Sequence, residues 1–157
     1  MKSKIYLSIT ILIVAVAALL MYQYHRPIAI EQTYQGIVYD ADLNFIAPDT
    51  VYFKGERSRF LFAKDSIKGT LTSGERTYDV LLKENRASYF AILTELKGSS
   101  VTSLGTMYLA TDFKHVWLQL KDFRERYPVE HGYFVNGAAT IEEAQDIAKN
   151  LLEEPNK

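Results

Sequence analysis

The pattern of hydrophobic and polar positions divides the chain into an apolar N-terminal run and a long part in which the two kinds alternate. Between residues 5 and 24 no charged side chain occurs. About 20 residues at roughly 1.5 Å rise per residue reach about 30 Å, the thickness of the hydrocarbon core of a bilayer. The run therefore predicts a transmembrane helix. Pro27 lacks the amide hydrogen that would continue it, so we expect the span to end there.

The charges that flank this run predict its orientation. Lys2 and Lys4 precede the run, whereas Arg26 is the one lysine or arginine directly after it, next to His25. The N-terminal side is therefore the more positive, and positive charge is enriched on the cytoplasmic side of membrane spans. We therefore expect a single-pass protein of the cell membrane, with its N-terminus in the cytoplasm and its C-terminal domain extracytoplasmic.

A cleaved signal peptide is the competing interpretation of the same run. The small residues at 15–17 have the spacing of a cleavage site. The apolar run continues through residues 19–21, however, with no polar segment before the site, which favours an uncleaved anchor. A lipid-modified cysteine and disulfide bonds are both excluded, because the chain contains no cysteine.

Short runs rich in aromatic and other apolar residues, separated by turn residues, predict β-strands after the anchor. The candidate segments are 34–39, 51–54, 59–63, 67–72, 76–82, 88–96, 104–110 and 116–120, with 133–135 as a last strand or an extended connector. Glycines in the intervening segments at 55–58 and 73–75 indicate hairpin turns. In the clearest strand Val116, Leu118 and Leu120 share one face, and Trp117 and Gln119 share the other.

The chain ends in a predicted amphipathic helix. Thr140 is a favourable N-cap, and Glu143 three residues later completes a capping-box pattern. Apolar residues then recur at helical spacing up to Leu152. A short helical turn is also expected from Asp122, closed by Pro128.

These elements predict an α+β fold, in which an antiparallel meander of about seven strands is covered by the C-terminal helix. A strongly curved or barrel-like sheet is the alternative, because sheets of this size twist and must protect their edges. The predicted division is a cytoplasmic tip at 1–4, the anchor at 5–24, a juxtamembrane linker at 25–33, the α+β domain at 34–152 and a tail at 153–157.

Composition narrows the functional classes. The net charge of −1 with mixed charges lacks the basic surface of a nucleic-acid-binding protein, so we expect no nucleic-acid partner. Eleven tyrosines and eight phenylalanines favour strands over helices.

No catalytic or cofactor motif stands out. Of the three histidines, His25 lies at the predicted membrane boundary, His115 follows Asp112 in a turn, and His131 follows Glu130. A histidine beside a carboxylate can serve general acid–base chemistry, but the same pair is common in surface turns. We predict no cofactor and no metal, and the sequence does not predict an enzyme.

Only the first three ligand positions of a calcium-binding loop are matched in the sequence. Asp40, Asp42 and Asn44 have the right spacing, but Phe45 stands where the loop needs glycine and Val51 where it needs glutamate. The acidic and amide side chains are better explained as an ordinary turn.

Two groups of residues are candidates for binding. Lys54, Arg57 and Arg59 belong to a basic ribbon that could contact anionic lipid or polymer, or could simply protect a strand edge. Trp117 and Tyr108 lie on the outer face of their predicted strands and could form a contact patch, or could belong to a second, covered face.

The two ends of the chain resemble small single-pass membrane proteins of Gram-positive bacteria, which are mostly uncharacterised. The resemblance rests on Lys-Ser-Lys at 2–4 and on the segment 132–144, where a final strand leads into a capped helix. It implies a location and a topology, and it implies no activity, ligand or site.

The sequence therefore predicts a membrane-anchored extracytoplasmic binding domain, with the bilayer as one partner through residues 5–24 and another envelope protein as the second. The alternative is a carrier or sensor of a small apolar ligand, which needs a cavity of about 300 Å³ or more. A hydrolase would need His115 or His131 in one cleft with a carboxylate and a hydroxyl.

Overall fold

Eight antiparallel strands close into a barrel between an N-terminal and a C-terminal helix. The structure is a computed structural model and describes residues 2–86, 88–97 and 100–152. Its elements are α1 (Lys2–His25), β1 (Ile28–Asp40), β2 (Phe45–Ser58), β3 (Ser66–Ser73), β4 (Arg76–Asn85), β5 (Ser88–Lys97), β6 (Ser100–Ala110), β7 (Val116–Leu120), α2 (Asp122–Arg126), β8 (Gly132–Asn136) and α3 (Ile141–Leu152).

Each strand pairs with its neighbour in sequence, and β1 closes the barrel by pairing with β8. The pairing runs from Gly36 opposite Asn136 to Asp40 opposite Gly132. A Cβ atom on residue 36 would lie 2.0 Å from the carbonyl oxygen of Val135, so only glycine allows this approach. The predicted α+β meander is confirmed, and the sheet takes its closed form.

The inside of the barrel is a packed core. Inward-facing side chains from all eight strands and Phe123 of α2 are almost completely excluded from solvent. The largest are Phe53, Tyr89, Phe123 and Phe134. Eight strands give an interior that side chains can fill or that can hold one small ligand, and here the side chains fill it.

Helix α3 packs on the outside of the barrel. Ala144, Ala148 and Leu151 are buried against Trp117 and Val135. The predicted cap is present, because the hydroxyl of Thr140 accepts a hydrogen bond from the amide of Glu143 at 3.3 Å. The carboxylate of Glu143 accepts one from the amide of Ala139 at 2.8 Å, one residue earlier than an ideal capping box.

The predicted strand at 59–63 is wrong, as is the turn predicted at 55–58. β2 continues through the predicted turn and pairs with β1 and β3 as far as Ser58, and 59–65 is the loop. Gly55 lies opposite Gly69 in mid-strand. A Cβ on residue 69 would lie 2.5 Å from the Cα of Gly55, so these glycines serve close strand approach rather than a turn.

The predicted linker at 25–33 is largely strand, because β1 begins at Ile28. The β1 residues Ile30 and Tyr34 are buried and face the barrel core. β2 pairs with β1 from Ile28 onward. Eight strands replace the predicted seven. The predicted tail at 153–157 lies outside the described residues.

Between Ile9 and Met21, helix α1 exposes apolar side chains on every side. The exposed ones include Ile9, Ile11, Leu12, Ile13, Val14, Val16, Leu19, Leu20 and Met21. Among the residues that the structure describes, no helix combines the length and the apolar character that a membrane crossing requires.

The barrel has two ends, which we name by their distance from α1. The proximal end is where β1 begins, and it carries the β2–β3 and β6–β7 loops. The distal end carries the β1–β2 turn and the β7–β8 connection with α2.

We predict that Leu151→Asp lowers the free energy of unfolding by about 3 kcal/mol or more, because it places a charge without a partner beneath α3. Thermal unfolding of the full-length protein in detergent, followed by circular dichroism, measures the effect. Gln145→Asp, on the exposed side of the same helix, is the matched control. Equal melting temperatures for the two variants would refute the packing of α3.

Candidate functional site

A polar cleft of about 550 Å³ lies on the outer surface at the distal end, between α2 and the strands β6, β7 and β8. Its lining consists mainly of polar and charged side chains: Ser103, Thr106, Gln119, Lys121, Arg124, Glu125, Glu130 and His131. The volume lies in the range of small-ligand sites. Cations and carboxylates occur together in the lining, which suits a partner that carries both charges.

The alternation along β7 places these side chains. Leu118 and Leu120 point into the barrel core, so Gln119 points outward to the cleft. Helix α2 begins two residues after β7 ends, which brings Arg124 to the cleft rim. The chain then returns past His131 into β8.

An aromatic crevice of about 290 Å³ adjoins the polar cleft. Tyr39, Trp117 and Tyr133 line it together with Leu43 and Leu152. The Trp117 indole N–H donates to the Tyr39 hydroxyl at 3.2 Å, and the indole stacks on Tyr133 with ring centroids 5.5 Å apart. Burial raises the pKa of Tyr39.

The cleft and the crevice meet on the outer face of β7. Gln119 of the cleft lies directly opposite Tyr133 of the crevice in the β7–β8 pairing. Trp117, two positions before Gln119, faces the same side. The two depressions therefore form one continuous surface, which we call the β7 surface.

The structure places the two aromatic candidates beneath α3 and at its margin. Trp117 is only 7% exposed because α3 covers it. Tyr108 is half-buried. Its ring centroid lies 5.7 Å from that of Trp117, which it meets edge-on, and 4.8 Å from that of Phe90. The outer aromatic face is therefore mainly a second, covered core, and only its margin is open at the crevice.

The basic candidates differ in their surroundings and do not form one open ribbon. Lys54 is exposed on β2, where it lies opposite Glu31 of β1. Arg57 is half-buried at the proximal end, and its guanidinium holds the Asp65 carboxylate through bonds of 2.8 and 3.1 Å. Arg59 lies in the β2–β3 loop.

Aromatic rings complete the proximal closure around Arg57. Its guanidinium carbon lies 5.6 Å from the centroid of Tyr89 and 5.8 Å from that of Phe113. The Tyr34 hydroxyl donates to the carbonyl oxygen of Phe113 at 2.8 Å. Burial, and secondly the nearby charge of Asp112, raises the pKa of Tyr34. Arg57 is thus part of the structure that closes the barrel, not part of an open binding surface.

A second arginine closes the distal end and fixes α2. Arg126 forms ion pairs with Asp122 at 2.8 Å and Asp49 at 3.1 Å, and it donates to the Ser73 hydroxyl at 2.6 Å. Its guanidinium also lies over Phe123, 5.2 Å from the ring centroid. Sequence analysis missed this network, although Asp122 and Arg126 have the i, i+4 spacing of a helical ion pair.

The histidines do not share a cleft. His131 precedes β8 and lies at the distal cleft, whereas His115 precedes β7 and lies beside α3 at the other end. Adjacent antiparallel strands begin at opposite ends, so this separation follows from the topology.

The acidic turn is self-contained. Both carboxylate oxygens of Asp40 accept hydrogen bonds from Asn44, at 2.8 and 2.9 Å, which hold the pKa of Asp40 below its usual value. Within residues 2–86, 88–97 and 100–152, no group of three or more His, Asp or Glu side chains could hold a metal ion.

We compared the chain with protein families, curated proteins and solved structures. No protein-family model, curated protein or solved structure matches this chain.

We predict that Arg126→Met lowers the free energy of unfolding by about 2–4 kcal/mol, because it leaves the buried carboxylate of Asp122 without its main partner. Arg76 still lies 3.3 Å from Asp122, which keeps the loss below that of a fully isolated charge. Urea unfolding of the full-length protein in detergent measures it. Arg124→Met, on the exposed side of α2, is the control, and equal stability of the two variants would contradict the network.

Proposed function

We propose that this protein is a membrane-anchored extracytoplasmic domain that binds another envelope protein through the β7 surface. Residues 5–24 anchor it, with the N-terminus in the cytoplasm. The observation that carries the proposal is the position of the polar cleft and the aromatic crevice, side by side at the end of the barrel away from α1.

The proposed anchor rests on the complete sequence of residues 5–24 and on the surroundings of α1. A helix that is apolar all round needs either a protein core or a lipid environment. From Ile9 to Met21 the large apolar side chains of α1 are exposed on every side, so the barrel does not supply that core. A bilayer would supply the environment, and the uncharged run has the length for it.

The closed barrel suits a scaffold that presents a surface. Its interior is filled with side chains, and closure leaves no long sheet edge for unwanted pairing. The β7 surface combines an aromatic margin with charged groups of both signs, the composition found at protein interfaces with an apolar centre and a polar rim.

The alternative, a carrier or sensor of a small apolar ligand, has one observation in its favour. The crevice beside Trp117 has a volume of about 290 Å³ and aromatic walls. The barrel interior gives this alternative no support, because residues such as Phe53 and Phe134 occupy it.

We expect a photo-crosslinking amino acid at Gln119, in the full-length protein in its native membrane, to capture one reproducible partner. The same group at Lys68, an exposed position on β3, is the matched control, because it lies outside the cleft and the crevice. Mass spectrometry identifies the captured protein. Arg124→Glu, which reverses a charge at the cleft rim, should reduce capture several-fold without changing the melting temperature.

Capture at both positions alike, or at neither, would contradict the proposed binding surface. Loss of the full-length protein from the membrane fraction at alkaline pH would contradict the anchor.

A further inference from the structure

The loop between β2 and β3 presents apolar side chains to solvent at the proximal end. Phe60 is 45% exposed, Leu61 is 46% exposed and Phe62 is 100% exposed. We propose that this loop inserts into the lipid headgroup region beside the anchor and holds the barrel at a defined orientation on the membrane. The inference rests on the proposed anchoring through residues 5–24.

The loop is held in shape by the closure of the proximal end. The Asp65 carboxylate accepts a hydrogen bond from the amide of Phe60 at 3.1 Å while it pairs with Arg57. The amide of Asp65 in turn donates to the Glu84 carboxylate at 3.1 Å. The aromatic side chains are therefore presented by a braced loop, which lowers the entropy lost when they enter a membrane surface.

The loop lies next to the end of the proposed anchor. Nδ1 of His25, the last residue of α1, lies 3.1 Å from the carbonyl oxygen of Arg59. Tyr22 and Tyr24, exposed in the last turn of α1, have the amphipathic rings that favour the water–lipid interface. A bilayer that ends at these tyrosines therefore has its surface close to Phe60 and its neighbours.

Basic side chains beside the apolar tip suit an anionic lipid surface. Arg59 and Lys64 flank the apolar tip, and Arg26 follows α1. The carboxylates of Asp65 and Glu84 nearby are engaged in the bonds that brace the loop. Basic side chains beside inserted aromatic rings are attracted to anionic lipid headgroups.

The absence of cysteine from the chain allows a direct test with single labels. Phe62→Cys, in the full-length protein, carries an environment-sensitive fluorophore in vesicles of phosphatidylcholine and phosphatidylglycerol. Asp42→Cys, in the turn at the distal end, is the matched control, and Ala15→Cys reports on the anchor. A nitroxide on the lipid acyl chain and iodide in the water act as competing quenchers.

We expect the label at 62 to be quenched several-fold more by the lipid nitroxide than the label at 42, and to be shielded from iodide. Omission of phosphatidylglycerol should reduce this difference, and so should Lys64→Gln. Phe62 is fully exposed, so its replacement leaves the fold intact.

Iodide quenching at 62 equal to that at 42, with lipid quenching at 15, would overturn the inference and leave the anchor standing. Shielding at 62 from both quenchers would also overturn it, because a protein contact would then cover the loop. Absence of lipid quenching at 15 would instead show that the anchor proposal itself has failed.

Discussion

The closure of the sheet between β1 and β8 is the constraint on which the rest of the molecule depends. Gly36 and Asn136 face each other across this seam, and the lack of a side chain at Gly36 is what lets the strands meet. Without the seam, the interior aromatic residues would lie on one face of an open sheet with two free edges. With it, they form a core that needs neither a disulfide nor a metal.

Closure also creates two barrel ends that must be sealed, and each is sealed by an arginine that pairs with carboxylate and lies against aromatic rings. Arg126 seals the distal end and thereby positions α2, which forms one wall of the polar cleft. Arg57 seals the proximal end and braces the apolar loop through Asp65. Each arginine thus shapes a surface that we propose to be functional. Arg126 shapes the surface for a protein partner, and Arg57 shapes the loop that contacts lipid.

Local patterns in the sequence predicted the local structure well. The alternation in 116–120 gave the two faces of β7, and the Thr140 cap marked the start of α3. The apolar, aromatic-rich run at 59–63 was misleading, because the same composition that is typical of a buried strand here belongs to an exposed loop. The seam itself joins segments that are about a hundred residues apart, and no local pattern encodes such a pairing. The contacts of Arg57 with Tyr89 and Phe113 and the covering of Trp117 by α3 also join residues far apart in the sequence, so local patterns could not predict them.

Amide hydrogen exchange of the full-length protein in detergent tests the closed barrel most directly. The account predicts that the amides of β8 that face β1 exchange as slowly as those of β3, which is paired on both sides. Fast exchange of the β8 amides that face β1, with the β8 amides that face β7 and those of β3 still protected, would show an open sheet. That result would contradict the closure, and with it the positions proposed for the cleft and for the loop.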